Sequence, residues 1–220
     1  MSVTARIAPL SGLAGIGCLV SGLALDRAPT SSWSDRQITD WYATHGVGQW
    51  MLSGIVVAAA APFLLLFTAE VRERLAVAGA SRRTQSVQLG AGIAFAVTAL
   101  VGAALYVAVP AAMTFSSAPA PGADISRYTL GAAYGTLVMF SALAAALFTL
   151  TASVGSLRTR AIPRWLAITG LPFAALMLLN ALLPLAAITL WFVTASITLA
   201  VRPPRTAVRP TAPDALPIPA

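Results

Sequence analysis

Residues 165–201 read "WLAITGLPFAALMLLNALLPLAAITLWFVTASITLAV", and not one of them is charged. As a single helix the run would extend about 55 Å at 1.5 Å per residue, against a hydrocarbon core of about 30 Å. One span cannot hold it. "NALLP" at 180–184 supplies a break: Asn180 suits a helix end, and Pro184 fits the first turn of the next helix. The run therefore predicts two antiparallel spans, 165–181 and 185–201, joined by a tight turn. Pro172 predicts a kink in the first of them.

The rest of the chain carries the same signature. Only 10% of the 220 residues are charged and 58% are hydrophobic, whereas a soluble domain averages about 25% charged. Four more apolar segments fall at 7–25, 50–67, 87–109 and 130–154, each about long enough to cross a bilayer. A cleavable signal peptide is the rival reading of the first. Its apolar part is too long, Arg6 is the only charge before it, and no Ala-x-Ala site follows at the right distance, so a retained span is expected. The fold class expected is all-α: a polytopic membrane helix bundle of six transmembrane helices over residues 1–202.

The basic excess is all arginine, fourteen residues and no lysine. With six spans and the N-terminus inside, eleven arginines lie on the cytoplasmic side: Arg6, Arg72, Arg74, Arg82, Arg83, Arg158, Arg160, Arg164, Arg202, Arg205 and Arg209. Only Arg27, Arg36 and Arg127 face outward. This split sets both termini in the cytoplasm of a multi-pass plasma-membrane protein. It also accounts for the net charge without nucleic acid, since the arginines are spread over every inner loop and do not interleave with aromatics. The stretch 203–220 has six prolines and is expected to be a disordered cytoplasmic tail.

One polar island interrupts the outer side, "SSWSDRQITDWYATHG" at 31–46. Ser34 and Gln37 have the spacing of a capping box, flanked by Trp33 and Ile38 at the positions of a hydrophobic staple. Ile38, Trp41, Tyr42 and His45 then recur on one helical face. A short amphipathic helix over 35–45 is expected, lying at the outer interface. Trp33, Ile38, Trp41, Tyr42 and Trp50 would be its interfacial anchor, in the headgroup layer or against the bundle.

The spans lack ionisable groups away from their ends, and that limits chemistry. No intramembrane carboxylate is present for ion or proton coupling. No lysine means no retinal Schiff base, and the single histidine excludes an H-E-x-x-H zinc site or a bis-histidine haem within one chain. Cys18 alone forms neither an internal disulfide nor a Cys-based metal site, and reads as a small packing residue. No metal and no cofactor is expected. The ligand-binding candidates are Asn180, Tyr106 and Tyr134, which with Tyr128 and the Pro172 kink could line an outer-leaflet pocket. His45 with Asp40, Asp26 and Asp124, drawn from two outer loops, is the one outer cluster with the groups to bind a metal or move a proton. The five-residue spacing of Asp40 and His45 does not set them on one helical face, and a solvated helix rim is expected instead. Gly131 and Gly135, with Ser11/Gly15 and Gly17/Ser21, are expected to bring helix backbones close inside the monomer.

"LALDRAP", "ITDWYATHG", "EVRERL" and "IPRWLAITG" follow one another in this order. In that order the chain resembles uncharacterised six-span integral membrane proteins of actinobacteria, over roughly residues 7–202. The resemblance implies the topology and brings no activity and no functional residue. The expected role is a non-enzymatic accessory or envelope component whose partners are membrane lipids, with another membrane protein as a further candidate. A facilitator or exporter of small apolar or lipid-like molecules is the alternative. An outer-interface enzyme using Asp40 and His45 is the second alternative.

Overall fold

Helix boundaries follow local chemistry at several points. Ser34 accepts a bond from the Gln37 N–H at 3.4 Å while its own N–H donates to Gln37 Oε1 at 2.8 Å, so the capping box is formed. Ser81 likewise accepts from the Thr84 N–H at 3.2 Å. Between these two caps a helix ends at Val77 because Gly79 takes φ +81°. The Ala80 N–H then reaches back to the Leu75 carbonyl at 2.9 Å, and that of Gly79 to Ala76 at 3.0 Å. This is a Schellman closure, for which glycine has the required left-handed freedom.

The computed structural model describes residues 8–26, 28–30, 32–45, 47–179 and 182–202. Asn180, Gly46 and the segment 203–220 lie outside them. Among the described residues all regular structure is helical. A 3₁₀ turn at Ala8–Leu10 leads into α1 (Ser11–Ala24), followed by α2 (Asp35–Thr44). Next, α3 (Gly48–Ala58) runs on into α4 (Ala60–Val77), and α5 (Arg82–Tyr106) is followed by the short α6 (Ala108–Phe115). Then α7 (Ala123–Tyr134) passes through a π-helical turn, Gly135–Phe140, into α8 (Ser141–Thr159), and α9 (Arg164–Leu176) and α10 (Leu182–Val201) are the last helices among the described residues.

Four of these rods are long and apolar enough to cross a membrane: Gly48–Val77, α5, Ala123–Thr159 and Leu183–Val201. Ala8–Ala24 and α9 are apolar but shorter. At 13 residues, α9 extends about 20 Å. Pro172 sits inside it, and the helix stops one turn later at Leu176. The expected 35–45 helix is found as α2, with His45 its extended C-cap residue.

The bundle core is an aromatic knot. Phe192 of α10 meets Phe67 of α4, Phe95 of α5 and Phe148 of α8 at centroid distances of 5.4, 5.5 and 5.5 Å. Each such pair adds about 0.5–1.5 kcal/mol beyond area burial. In hydrocarbon no hydrophobic effect pulls helices together, so close packing has to. Gly22 shows how: a Cβ there would stand 2.8 Å from the Val57 nitrogen and 2.9 Å from the Ser53 carbonyl oxygen. Backbone therefore lies directly on backbone where α1 crosses α3.

Not every small residue serves this purpose. Gly15 faces Leu64, with a Cβ site 3.1 Å away, but Gly17, Gly131 and Gly135 face open space. Gly131 and Gly135 therefore do not pack inside the monomer as their spacing suggested, and neither does the Gly17/Ser21 pair, both of whose residues are exposed. On α7 the buried stripe is Ser126, Leu130 and Ala133, continuing to Leu137, and the two glycines stand off it.

Two ends of the bundle are distinct. Gly155 of α8 faces Leu75 and Thr84, and Arg74 of α4 bonds the carbonyls of Leu199 and Arg202, so the arginine-bearing helix ends share one end. At the other end a second core gathers Trp41, Tyr42, Trp50, Tyr106 and Leu130.

Candidate functional site

Asp26 stands just past the end of α1, where its Oδ1 accepts the Ala28 N–H at 2.8 Å. Tyr106, the last residue of α5, donates its hydroxyl to the same oxygen, and Tyr134, the last residue of α7, donates to Oδ2. A carboxylate offers about four lone-pair sites, so three donors leave room for about one more. The two tyrosine rings stand edge to face at 6.1 Å. Three segments that are remote in sequence are thus tied to one acid.

Around this centre the aromatic rings interlock. Trp50 packs against Tyr106 at 5.9 Å, Trp41 at 5.8 Å and Tyr42 at 6.2 Å. Its indole Nε1 is buried with no hydrogen-bond partner among the described residues. Tyr42 shares a 2.9 Å hydroxyl bond with Ser126 of α7. Burial raises the Tyr42 pKa above the usual tyrosine value, and the bond to Ser126 offsets part of the rise. Arg127 fastens the start of α2 to α7, bonding Asp35 at 2.7 Å and the Trp33 carbonyl at 2.7 Å. The buried face of α2, Ile38 with Trp41 and Tyr42, is therefore laid on the bundle and forms its cap.

Asp40 and His45 do not share a site. Asp40 lies 3.7 Å from Arg36 on the exposed face of α2. The His45 ring stacks on Trp41 at 5.3 Å with 3° between planes, and its Nδ1 is 2.9 Å from the Thr44 hydroxyl. Asp124 pairs with Arg127 at 3.4 Å. Among the described residues no group of three histidine, cysteine or acidic side chains could hold a metal ion. Tyr128 points away from the centre and is exposed.

Sequence reasoning singled out Tyr106 and Tyr134 but missed that Asp26 is the acid they share. The available signal was an acid at the very end of an apolar run, where a carboxylate can turn back toward the bundle. It also missed the buried pair at the opposite end, where Arg74 Nε meets Glu70 Oε1 at 2.6 Å. The i,i+4 spacing of Glu70 and Arg74 within "EVRER" was that signal.

No family model matches the chain, and no curated protein or solved structure matches it either.

Proposed function

We propose that the chain is a non-enzymatic component of the plasma membrane, of the six-span actinobacterial type, with both termini cytoplasmic. Its working surface is the aromatic end, facing outward. The observation that carries this reading is a set of uncovered apolar side chains on that end: Phe115 is 77%, Ile125 60% and Tyr128 81% exposed. The Ala123–Thr159 rod of 37 residues is about 55 Å long, and tilted by about 40° it still projects about 42 Å along the membrane normal. Against a core of about 30 Å the rod overhangs. With the span at 130–154 it is the first two turns of α7, which carry Ile125 and Tyr128, that stand clear of hydrocarbon, where apolar side chains mark an interaction site. The arginine split supports the orientation, and an even number of spans keeps both termini on one side.

A photocrosslinking residue placed at Tyr128 in native membranes tests the reading. A discrete adduct is expected there and not from the same residue placed at Arg36, which is exposed on the polar face of α2. An identical pattern from both sites would remove the argument for a docking surface at α7. A second reading, passage of small apolar or lipid-like molecules, is favoured by an apolar recess beside the α9–α10 break. The enzymatic reading has no geometry to support it, because Asp40 and His45 are held by different partners.

A further inference from the structure

Between the π turn and the end of α9 the bundle surface is notched. The recess holds about 300 Å³. Its floor is Ala142, Met177 and Pro184, all buried, and Met139, Leu143 and Leu179 form an exposed rim. The notch has two causes in the backbone. The π turn at Gly135–Phe140 widens the rod locally, and α9 ends at Leu176 while the neighbouring rod continues past it. No side chain on the floor or rim carries a charge or a hydrogen-bonding N–H or O–H group, so water, which needs two or more polar partners, gains nothing there.

We infer that this recess seats one acyl chain of a phospholipid from the leaflet at the aromatic end. The inference rests on reading these helices as membrane spans and does not depend on the docking role of α7. A notch in a spanning helix opens onto hydrocarbon, and hydrocarbon is what fills it. Its size is at the small end of ligand pockets, enough for one chain and not for a whole lipid. A helix of a second copy, about 10–12 Å across, does not enter a recess of this volume. Methionine at floor and rim suits a flexible chain, because its thioether adapts to irregular contacts.

The test uses the full chain extracted in mild detergent and examined by native mass spectrometry. One retained phospholipid per protein is expected. Ala142→Phe fills the floor and should lower that occupancy about tenfold or more, as overfilling a packed site does. Leu66→Ala, on an exposed face of α4, should leave it unchanged. Unaltered protein is also placed in phosphatidylglycerol–phosphatidylethanolamine vesicles doped with a phosphatidylcholine that carries a diazirine on one acyl chain. Crosslinks concentrated at Met139, Leu143 and Leu179 support the site even if Ala142→Phe does not fold. Labelling spread evenly over exposed positions such as Leu66 and Val97 would overturn it. So would a dimer that shields the rim from label, or equal lipid retention by a folded Ala142→Phe variant.

Discussion

Arg74 Nη2 donates to the carbonyl oxygen of Leu199 at 2.9 Å, across 125 residues of chain. Nη1 donates to the Arg202 carbonyl at 3.0 Å, and Nε holds Glu70 at 2.6 Å. One guanidinium thus satisfies carbonyls that the end of α10 would otherwise leave open, and a positive charge there also complements the helix dipole. With 5% of its side chain exposed, the group is desolvated on every side.

Removing it should be costly. Arg74→Met leaves Glu70 buried without its partner, and a loss of about 3–5 kcal/mol is expected. Arg74→Lys should recover only part of this, because an ammonium cannot reproduce the fork. Reversible unfolding in mixed micelles measures both, and hydrogen exchange at 199–202 locates the change. Equal stability of Arg74→Met and the parent would mean that the carbonyl contacts contribute nothing.

Asp26 makes a different kind of demand. Tyr106→Phe and Tyr134→Phe each delete one donor to a carboxylate, for which about 1.5–3 kcal/mol is the usual loss. Because the two hydroxyls share one acid, the double variant should depart from additivity by about 0.5 kcal/mol or more. The same unfolding assay supplies the cycle. Strict additivity would show that the two contacts act independently.

A contrast between glycines checks the packing. Gly22→Ala forces a methyl against the α3 backbone and should destabilise by about 1–3 kcal/mol. Gly131→Ala meets open space and should be neutral, or stabilising by up to about 1 kcal/mol through helix propensity. If Gly131→Ala proves the more damaging of the two, its face is occupied in the membrane.

Alkaline pH should weaken the cap in a defined direction. The Tyr42 pKa is raised by burial, so the folded state favours the neutral phenol. Its contribution is therefore complete below the unfolded value of about 10 and is lost as pH rises through the folded value. Tyr42→Phe should flatten the decline in unfolding midpoint above about pH 10. An identical alkaline slope in parent and variant would contradict the assignment.

Within α2 the order of two substitutions separates an anchor from a reactive site. Trp41 is buried and Trp41→Ala should lower stability by roughly 3–5 kcal/mol, while the exposed His45 should be replaceable by Gln at little cost. Expression matched by quantitative blot, followed by the unfolding assay and any cellular phenotype, makes the comparison. Full expression of His45→Gln with complete loss of phenotype would revive the enzymatic reading.

What could be read in advance was what neighbours in sequence decide. Ser34 and Gln37 meet because three residues separate them, and the arginines mark helix ends without reference to any contact. Asp26 was harder. Its partners lie 80 and 108 residues away, and nothing local in "LALDRAP" names them. Gly131 and Gly135 were misread because a small-residue spacing gives a helical face but not the direction in which that face points. The π turn in "GTLVMF" has no turn chemistry of its own, and it becomes visible only once Gly102 of α5 is found pressed against Leu137.

That turn also sets the phase of the molecule. The α7–α8 rod is one unbroken element carrying Tyr134 above the turn and Phe148 below it. Each residue of an α-helix advances the azimuth by about 100°, so shortening the turn by one residue would rotate everything above it by about that angle. Tyr134 would swing off Asp26 and Ser126 off Tyr42, while the phenylalanine knot below stayed as it was. Torsion applied at either end of the rod meets no loose joint before the other, and the two cores are geared to each other through a single shaft.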